Sequence, residues 1–308
     1  MSGRRRQPTY RGRFAPSPTG ALHFGSLIAA TGSYLQARSR QGEWCLRIDD
    51  IDPPREAPGA RDTILKTLAG FGFEWDGPVT YQSQHADIYA EALITLQDKG
   101  LVYPCACSRK VIAQAQAANT QNPVYPGTCR RGLGPGQSAR MLRINTEGVV
   151  MEFQDLLQGK HRYVLETTQG DFVVRRADGL FAYQLATGID DAMQGMTEVI
   201  RGSDLLDTTP CQMFIQQALD LKSPTYGHLP VALNSNGQKL SKQTHARPLD
   251  IRQAVVQLWQ ALDFLGQKPA KDLRESSLKT LWEWAFANWH TNNITRQTTI
   301  EFSDIAQH

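Results

Sequence analysis

The sequence predicts an α/β protein on a parallel sheet carrying an insertion, and three observations predict it. Up to Gly100 the chain runs strand-like, tight turn, helical, strand-like, which is the βαβ pattern whose two strands lie parallel. After Gly100 it passes through a Cys/Pro/Gly-rich stretch into two-residue alternation, the mark of antiparallel strands. Around Leu180 to Leu206 the α/β character returns, and residues 249–289 carry apolar side chains at helical spacing. These shifts set four segments: 1–100, the first half of a Rossmann-type domain; 101–178, the insert; 179–246, its second half; and 247–308, a short C-terminal helical segment.

Element by element, Tyr10 to Phe14 reads as the first strand, and Pro16, Pro18 and Gly20 as a rigid turn. Leu27, Ile28, Tyr34 and Leu35 share one face of a helix from about His23 to Arg40, stopped by Gly42. Trp44 to Ile48 is the second strand. Ile64, Leu65, Leu68 and Phe71 mark a second helix, and Ile88, Leu93 and Leu96, closed by Gly100, a third. Residues 105–137 hold three cysteines and three prolines, too irregular to build an apolar core without a staple. Gln114 to Asn122 is biased toward Ala, Gln and Asn and reads as a flexible loop. Residues 141–175 alternate. The last segment reads as two helices, one with Ile251, Val255, Leu258, Leu262 and Leu265, the other with Leu278, Leu281, Trp282, Phe286 and Trp289. Its tryptophans, with Trp259 and Trp284, suit a core better than base stacking.

Composition excludes several classes. At 308 residues, 41% hydrophobic and 20% charged, the chain can bury a core and is not a disordered protein. No apolar run approaches the roughly 18–20 residues of a membrane span. The basic start, Arg4 to Arg6, has no apolar run after it and reads as a frayed terminus rather than a signal. A net charge of +3 permits a nucleic-acid partner without demanding one. Five cysteines, an odd number, suggest a reducing, cytoplasmic setting. Cys105, Cys107 and Cys129 cluster as metal ligands do, whereas Cys45 and Cys211 read as core thiols.

Two motifs carry chemistry. In Arg13-Phe-Ala-Pro-Ser-Pro-Thr-Gly-Ala-Leu-His-Phe-Gly-Ser26 a strand runs through a turn to a helix start, where free N–H groups attract phosphate; His23, with the small Gly25 and Ser26, leaves room for a nucleotide. In Lys239-Leu-Ser-Lys-Gln243, which follows a Gly-containing loop, Lys239, Ser241 and Lys242 suit the charge that develops on an α-phosphate as pyrophosphate departs. Taken singly, the first is a capped βα turn and the second a pair of surface lysines. Together and in this order they resemble the two signatures of class I aminoacyl-tRNA synthetases. The flanks Leu46-Arg-Ile-Asp-Asp-Ile-Asp52, Asp178-Gly-Leu-Phe-Ala-Tyr183 and Val199-Ile-Arg-Gly-Ser-Asp-Leu205 resemble the glutamyl branch. The resemblance covers Tyr10 to Ala246. With 66 residues after Lys242 and the Cys-x-Cys…Cys cluster, the chain is similar to the glutamyl-queuosine tRNA(Asp) synthetase family.

The resemblance implies a Rossmann-type class I catalytic domain with an inserted zinc-bearing, acceptor-type subdomain. It implies a ligase that activates L-glutamate with ATP and Mg²⁺, without tRNA, and esterifies it to queuosine in the tRNA(Asp) anticodon loop. His23, Lys239 and Lys242 would be catalytic, and His23, Gly25, Ser26, Lys239, Ser241 and Lys242 would bind ATP. Arg13, Phe14, Ala15, Pro16, Ser17, Asp49, Tyr183 and Arg201 would bind glutamate, the arginines suiting its carboxylates and Asp49 its ammonium. Relatives usually carry Glu at the position of Asp49, so Asp50, Asp52 or a bridging water are alternatives. Cys105, Cys107, Cys129 and Tyr125 would hold one structural Zn²⁺, with His161 as the other candidate for the fourth ligand. Arg130, Arg131 and Arg140 are candidates for RNA contact. A monomer is expected. Two other readings remain: a truncated glutamyl-tRNA synthetase charging a 3′ end, and a non-catalytic tRNA-binding paralogue.

Overall fold

The computed structural model describes residues 10–114, 124–240 and 247–302, so Arg4–Arg6 and most of the Gln114–Asn122 stretch lie outside the described residues. The chain opens with β1 (Arg11–Phe14), α1 (Phe24–Ser39) and β2 (Glu43–Ile48), and β1 pairs with β2 in parallel, Phe14 opposite Leu46. From Trp44 to Ile48 every residue of β2 is buried, as expected of a parallel strand covered on both faces. α2 (Ala60–Gly70) leads to β3 (Thr80–Tyr81), parallel to β2, and α3 (Ala86–Asp98) closes the first half.

The insert follows with β4 (Val102–Cys105), α4 (Arg109–Gln114), β5 (Met141–Ile144), β6 (Val150–Asp155), β7 (Gly159–Val164), the single turn α5 (Leu165–Thr168) and β8 (Val173–Arg175). β4–β5–β8 form one antiparallel sheet and β6–β7 an antiparallel hairpin, as the alternation predicted. The chain then returns through α6 (Tyr183–Met193), β9 (Glu198–Gly202), α7 (Thr209–Ala218), β10 (Thr225–Leu229) and β11 (Val231–Leu233). β10 runs parallel to β9, and β9 lies beside β1, where the Thr197 N–H donates to the Arg11 carbonyl at 2.9 Å. The spatial order is therefore β3–β2–β1–β9–β10, with a topological switch point between β1 and β9.

α8 (Ala254–Phe264), α9 (Leu278–Asn288) and β12 (Thr299–Glu301) complete the described chain. The helices were expected; β12 was not. It pairs in parallel with β11, three residues too short to leave an alternation signal. The helices share one core with the first half: Leu258, Leu262, Leu265, Leu281 and Trp282 pack with Leu27, Tyr34, Trp44 and Phe73. The Trp282 indole donates to the Phe71 carbonyl at 2.9 Å and that of Trp289 to Gln36 Oε1 at 3.2 Å, so buried aromatic N–H groups are satisfied. Trp259, Trp282 and Trp289 are buried and Trp284 packs on the same cluster, as core residues should. A second core joins insert residues Val102, Ile144, Met151 and Val174 to α3, α6 and α7. Among the described residues no helix is long and apolar enough to cross a membrane.

Candidate active site

A cleft of about 480 Å³ opens at the carboxyl ends of β1, β9 and β10, beside the switch point, where open parallel sheets bind ligands. The turn after β1 supplies Phe14 to Ser17, α1 supplies His23, Gly25 and Ser26, and α6 supplies Tyr183. Arg13 and Arg201 enter from neighbouring strands, and Lys239 closes the far side. Residues as distant in sequence as Arg13 and Lys239 thus line one cleft.

His23 is the N-cap of α1. Its backbone is extended, its Nδ1 accepts from the Ser26 N–H at 3.3 Å, and the Ser26 hydroxyl accepts from the His23 N–H at 3.5 Å. This reciprocal box sets the imidazole at the helix's positive end. Gly25 sits in a close fit: a Cβ there would stand 3.1 Å from the His23 ring and 3.2 Å from the Leu240 carbonyl, so those neighbours would have to give way by a few tenths of an ångström. Helix start and lysine loop approach each other through that gap. Lys239 Nζ pairs with Asp204 at 2.5 Å, while Ser241 and Lys242 lie outside the described residues.

The two arginines are held differently. Arg13 gives Nε and Nη2 to Asp191, at 3.1 and 3.0 Å, in a bidentate pair. Burial pushes Asp191 up, but the facing guanidinium groups of Arg13 and Arg47 outweigh it and hold the carboxyl at about 2. Arg201 gives Nε to His228 Nε2 at 3.1 Å and Nη2 to Thr209 Oγ1 at 2.8 Å, and its plane lies over Tyr226 at 5.2 Å. Its Nη1 is buried without a partner, and among the described residues no carboxylate pairs with this cation.

Asp49 does not line the cleft. It is buried against Arg47 Nε at 2.7 Å, and burial raises its carboxyl to about 6 despite that partner. One methylene shorter than glutamate, it meets the guanidinium beneath the strand end. The alternatives are engaged too. Asp50 accepts from the N–H and hydroxyl of Ser83 at 2.7 and 2.8 Å, and Asp52 pairs with Arg55 and Arg176. Arg130 is likewise not a free RNA contact: it clamps Asp171 at 2.6 Å and Glu166 at 2.7 Å, whereas Arg131 and Arg140 are exposed.

The cysteine cluster forms away from this cleft. Cys105, Cys107 and Cys129 have their sulfurs within 4.8 Å of one another. The Tyr125 hydroxyl stands 3.4 Å from Cys105 Sγ and 3.9 Å from Cys107 Sγ, and Cys107 and Cys129 sulfurs are 3.7 Å apart. Tetrahedral zinc with Zn–S near 2.3 Å separates sulfurs by about 3.8 Å, so the donor set fits that metal. His161 stands instead on β7, its ring stacked on Phe153 at 5.4 Å, and its nitrogens are not among the donor atoms that lie within 4.8 Å of one another at the cysteines. Cys45 and Cys211 are buried singly, as expected of core thiols.

Sequence reasoning missed the residues that aim the arginines: Arg47 and Asp191 behind Arg13, and Asp155, His228 and Thr209 behind Arg201. A signal existed only for His228, a lone imidazole in the otherwise apolar Tyr226–Leu229 run of β10. The carboxylates carry none, because an Asp in an amphipathic pattern reads as solvent-facing.

Residues 9–264 match the family described as tRNA synthetases class I (E and Q), catalytic domain. The chain is 53% identical over 293 residues to the glutamyl-Q tRNA(Asp) synthetase of Dechloromonas aromatica, covering 94% of this chain and 97% of that protein. It is 52% identical over 285 residues to the protein of that name from Chromobacterium violaceum, covering 92% and 95%. In structure it is similar to a glutamate tRNA ligase from Elizabethkingia meningosepticum, with a TM-score of 0.77 at 23% identity, covering 96% of this chain and 67% of that one.

Proposed function

The chain belongs to the glutamyl-Q tRNA(Asp) synthetase family of class I tRNA synthetases, and from that premise we propose how its cleft works. The enzyme activates L-glutamate with ATP, without tRNA, and transfers the glutamyl group to queuosine in the tRNA(Asp) anticodon loop. The observation that carries the glutamate site is Arg201: a buried cation with one edge held, its Nη1 unpartnered, and no carboxylate in ion-pair range among the described residues. An uncompensated buried charge is costly, and a substrate carboxylate in the cleft supplies the missing counter-ion. Arg13 on the neighbouring strand offers a second guanidinium, and Tyr183 a hydroxyl. Asp49 would serve the ammonium only through a bridging water.

Glutamate's α-carboxylate is already ionised and needs no base. Its oxygen attacks the α-phosphorus of ATP, the P–O bond to pyrophosphate breaks, and glutamyl-adenylate forms. His23 at the helix start, with Lys239, Ser241 and Lys242 from the loop, would stabilise charge that appears on the phosphates. Mg²⁺ would travel on the ATP phosphates. A hydroxyl oxygen of the queuosine cyclopentene then attacks the activated carbonyl, the bond to AMP breaks, and AMP leaves with the hydroxyl's proton on its phosphate oxygen. We assign one structural Zn²⁺ to Cys105, Cys107, Cys129 and Tyr125, supported by their spacing. A cytoplasmic monomer completes the reading, the location supported by the free thiols.

The experiment is transfer of labelled glutamate, with ATP, to an isolated anticodon stem-loop carrying queuosine. The queuosine RNA becomes labelled and the same RNA with guanosine does not, since guanosine lacks the cyclopentene hydroxyls. Labelling of the 3′-terminal adenosine of tRNA(Glu), with none on the stem-loop, would replace this reading by a minimal charging enzyme. Absence of glutamate-dependent pyrophosphate exchange would leave only an RNA-binding paralogue.

A further inference from the structure

We propose that Asp155 and His228 are positioning residues that fix the direction of the Arg201 guanidinium, so that the insert's β6–β7 hairpin sets the glutamate affinity of the catalytic cleft. The proposal rests on the glutamate reading of that cleft.

Three buried side chains are joined end to end. His228 Nδ1 stands 2.5 Å from Asp155 Oδ2, and His228 Nε2 stands 3.1 Å from Arg201 Nε. Asp155 closes β6, His228 lies in β10 and Arg201 in β9, so the chain crosses from the insert to the cleft. Proton positions follow from what each atom can do. Asp155 Oδ1 is saturated by the N–H groups of Leu157, Gln158 and His228, at 2.9, 2.9 and 3.1 Å. Its Oδ2 is left to accept one proton, and His228 Nδ1 supplies it. His228 Nε2 then carries a lone pair and accepts from Arg201 Nε. Thr209 takes the next position, its oxygen accepting from Arg201 Nη2 at 2.8 Å and its hydroxyl donating to the His228 Nε2 lone pair at 3.0 Å.

The pattern holds one whole edge of the guanidinium, Nε with Nη2, against the protein. What remains is the other edge, where Nη1 is buried and unpartnered on the cleft wall. That edge is the two-pronged fork a carboxylate accepts. The opposite histidine tautomer would put an N–H against the Arg201 Nε–H and turn the fork away. Asp155 forbids that tautomer. The hairpin is itself docked on β10: Leu156 N–H donates to the Tyr226 carbonyl at 2.9 Å and Gln158 Nε2 to the His228 carbonyl at 2.8 Å. Leu157 beside them is buried in the catalytic core. Asp155 is therefore held as rigidly as the group it steers.

The test combines kinetics with a direct view of the ring, on the full chain. Asp155→Asn keeps the shape but presents an amide donor to Nδ1, which drives the proton to Nε2. It should raise the glutamate KM about tenfold or more, with the ATP KM and the kcat at saturating glutamate within about threefold of wild type. His228→Leu should raise the same KM, and His228→Gln, whose amide can accept from Arg201 and donate to Asp155, should recover most of the loss. Long-range ¹H–¹⁵N spectra of histidine-labelled wild type should show His228 protonated on Nδ1, and on Nε2 in Asp155→Asn. A folded Asp155→Asn with unchanged glutamate KM overturns the proposal. So does an Nε2-protonated His228 in wild type, a measurement that needs no variant to fold. Wild-type protein without glutamate-dependent exchange would overturn the glutamate reading itself, and with it the meaning given to the fork, whatever tautomer the spectra show.

Discussion

Replacing Arg201 by methionine separates a ligand-binding cation from a structural one. In the folded protein Arg201 is only 4% exposed, and among the described residues no carboxylate pairs with it. Such a charge is a burden on the empty protein, and an apolar side chain of similar length is expected to be neutral or stabilising there. His228 Nε2 would lose the Arg201 donor but keeps the Thr209 hydroxyl at 3.0 Å. For the glutamate complex the sign reverses. The free edge offers two N–H groups to a desolvated carboxylate, and removing one partner of such a pair costs about 2–5 kcal/mol. Converted at 1.4 kcal/mol per decade, the glutamate KM in ATP–pyrophosphate exchange should rise roughly 30-fold to a few thousandfold, with the ATP KM little changed. Tm without substrate should stay or rise. A glutamate KM within about threefold of wild type would refute the counter-ion argument. A Tm lower by about 5 °C or more would show that the cation serves the fold instead.

The remaining predictions concern other parts of the machine. Lys242→Ala should raise the barrier to adenylate formation by on the order of 2–4 kcal/mol, seen as a fall in kcat in exchange kinetics with glutamate binding largely intact; near wild-type exchange would remove the loop from the site. Protein purified without chelators should hold one zinc per chain by metal analysis, and stripping it should loosen the Cys105–Cys129 segment in hydrogen exchange and lower Tm; zinc-free protein of equal stability would end the assignment. Asp49, raised by folding from 3.8 to about 6, keeps a proton that the unfolded chain has already released, so it lowers stability as pH climbs through that window. Asp49→Asn removes that titration together with the carboxylate that Arg47 faces, so relative to wild type it should gain stability as pH rises from 4 to 6, and a difference between the two proteins that does not change with pH would contradict the burial argument.

What the sequence determined by itself is whatever depends on periodicity and on short-range order. The βαβ start, the antiparallel insert and the two C-terminal helices were legible because apolar residues repeat at two or 3.6 residues wherever an element has one buried face. His23 at a helix start and the Cys105–Cys107–Cys129 cluster were legible because each is a local spacing with a physical reason, whereas the close approach of Leu240 to Gly25 was not. The tertiary structure alone decided what depends on groups brought together from distant parts of the chain. Asp191 stands 178 residues from Arg13, and His228 stands 73 from Asp155 and 27 from Arg201. It also decided that Asp49 turns to Arg47 and not to the cleft, that Arg130 is an internal clamp, and that His161 stands outside the cysteine cluster. A side chain's type says which bonds it can make. Which of those bonds exist depends on what the fold packs against it, because a buried charge takes the nearest partner that desolvation allows.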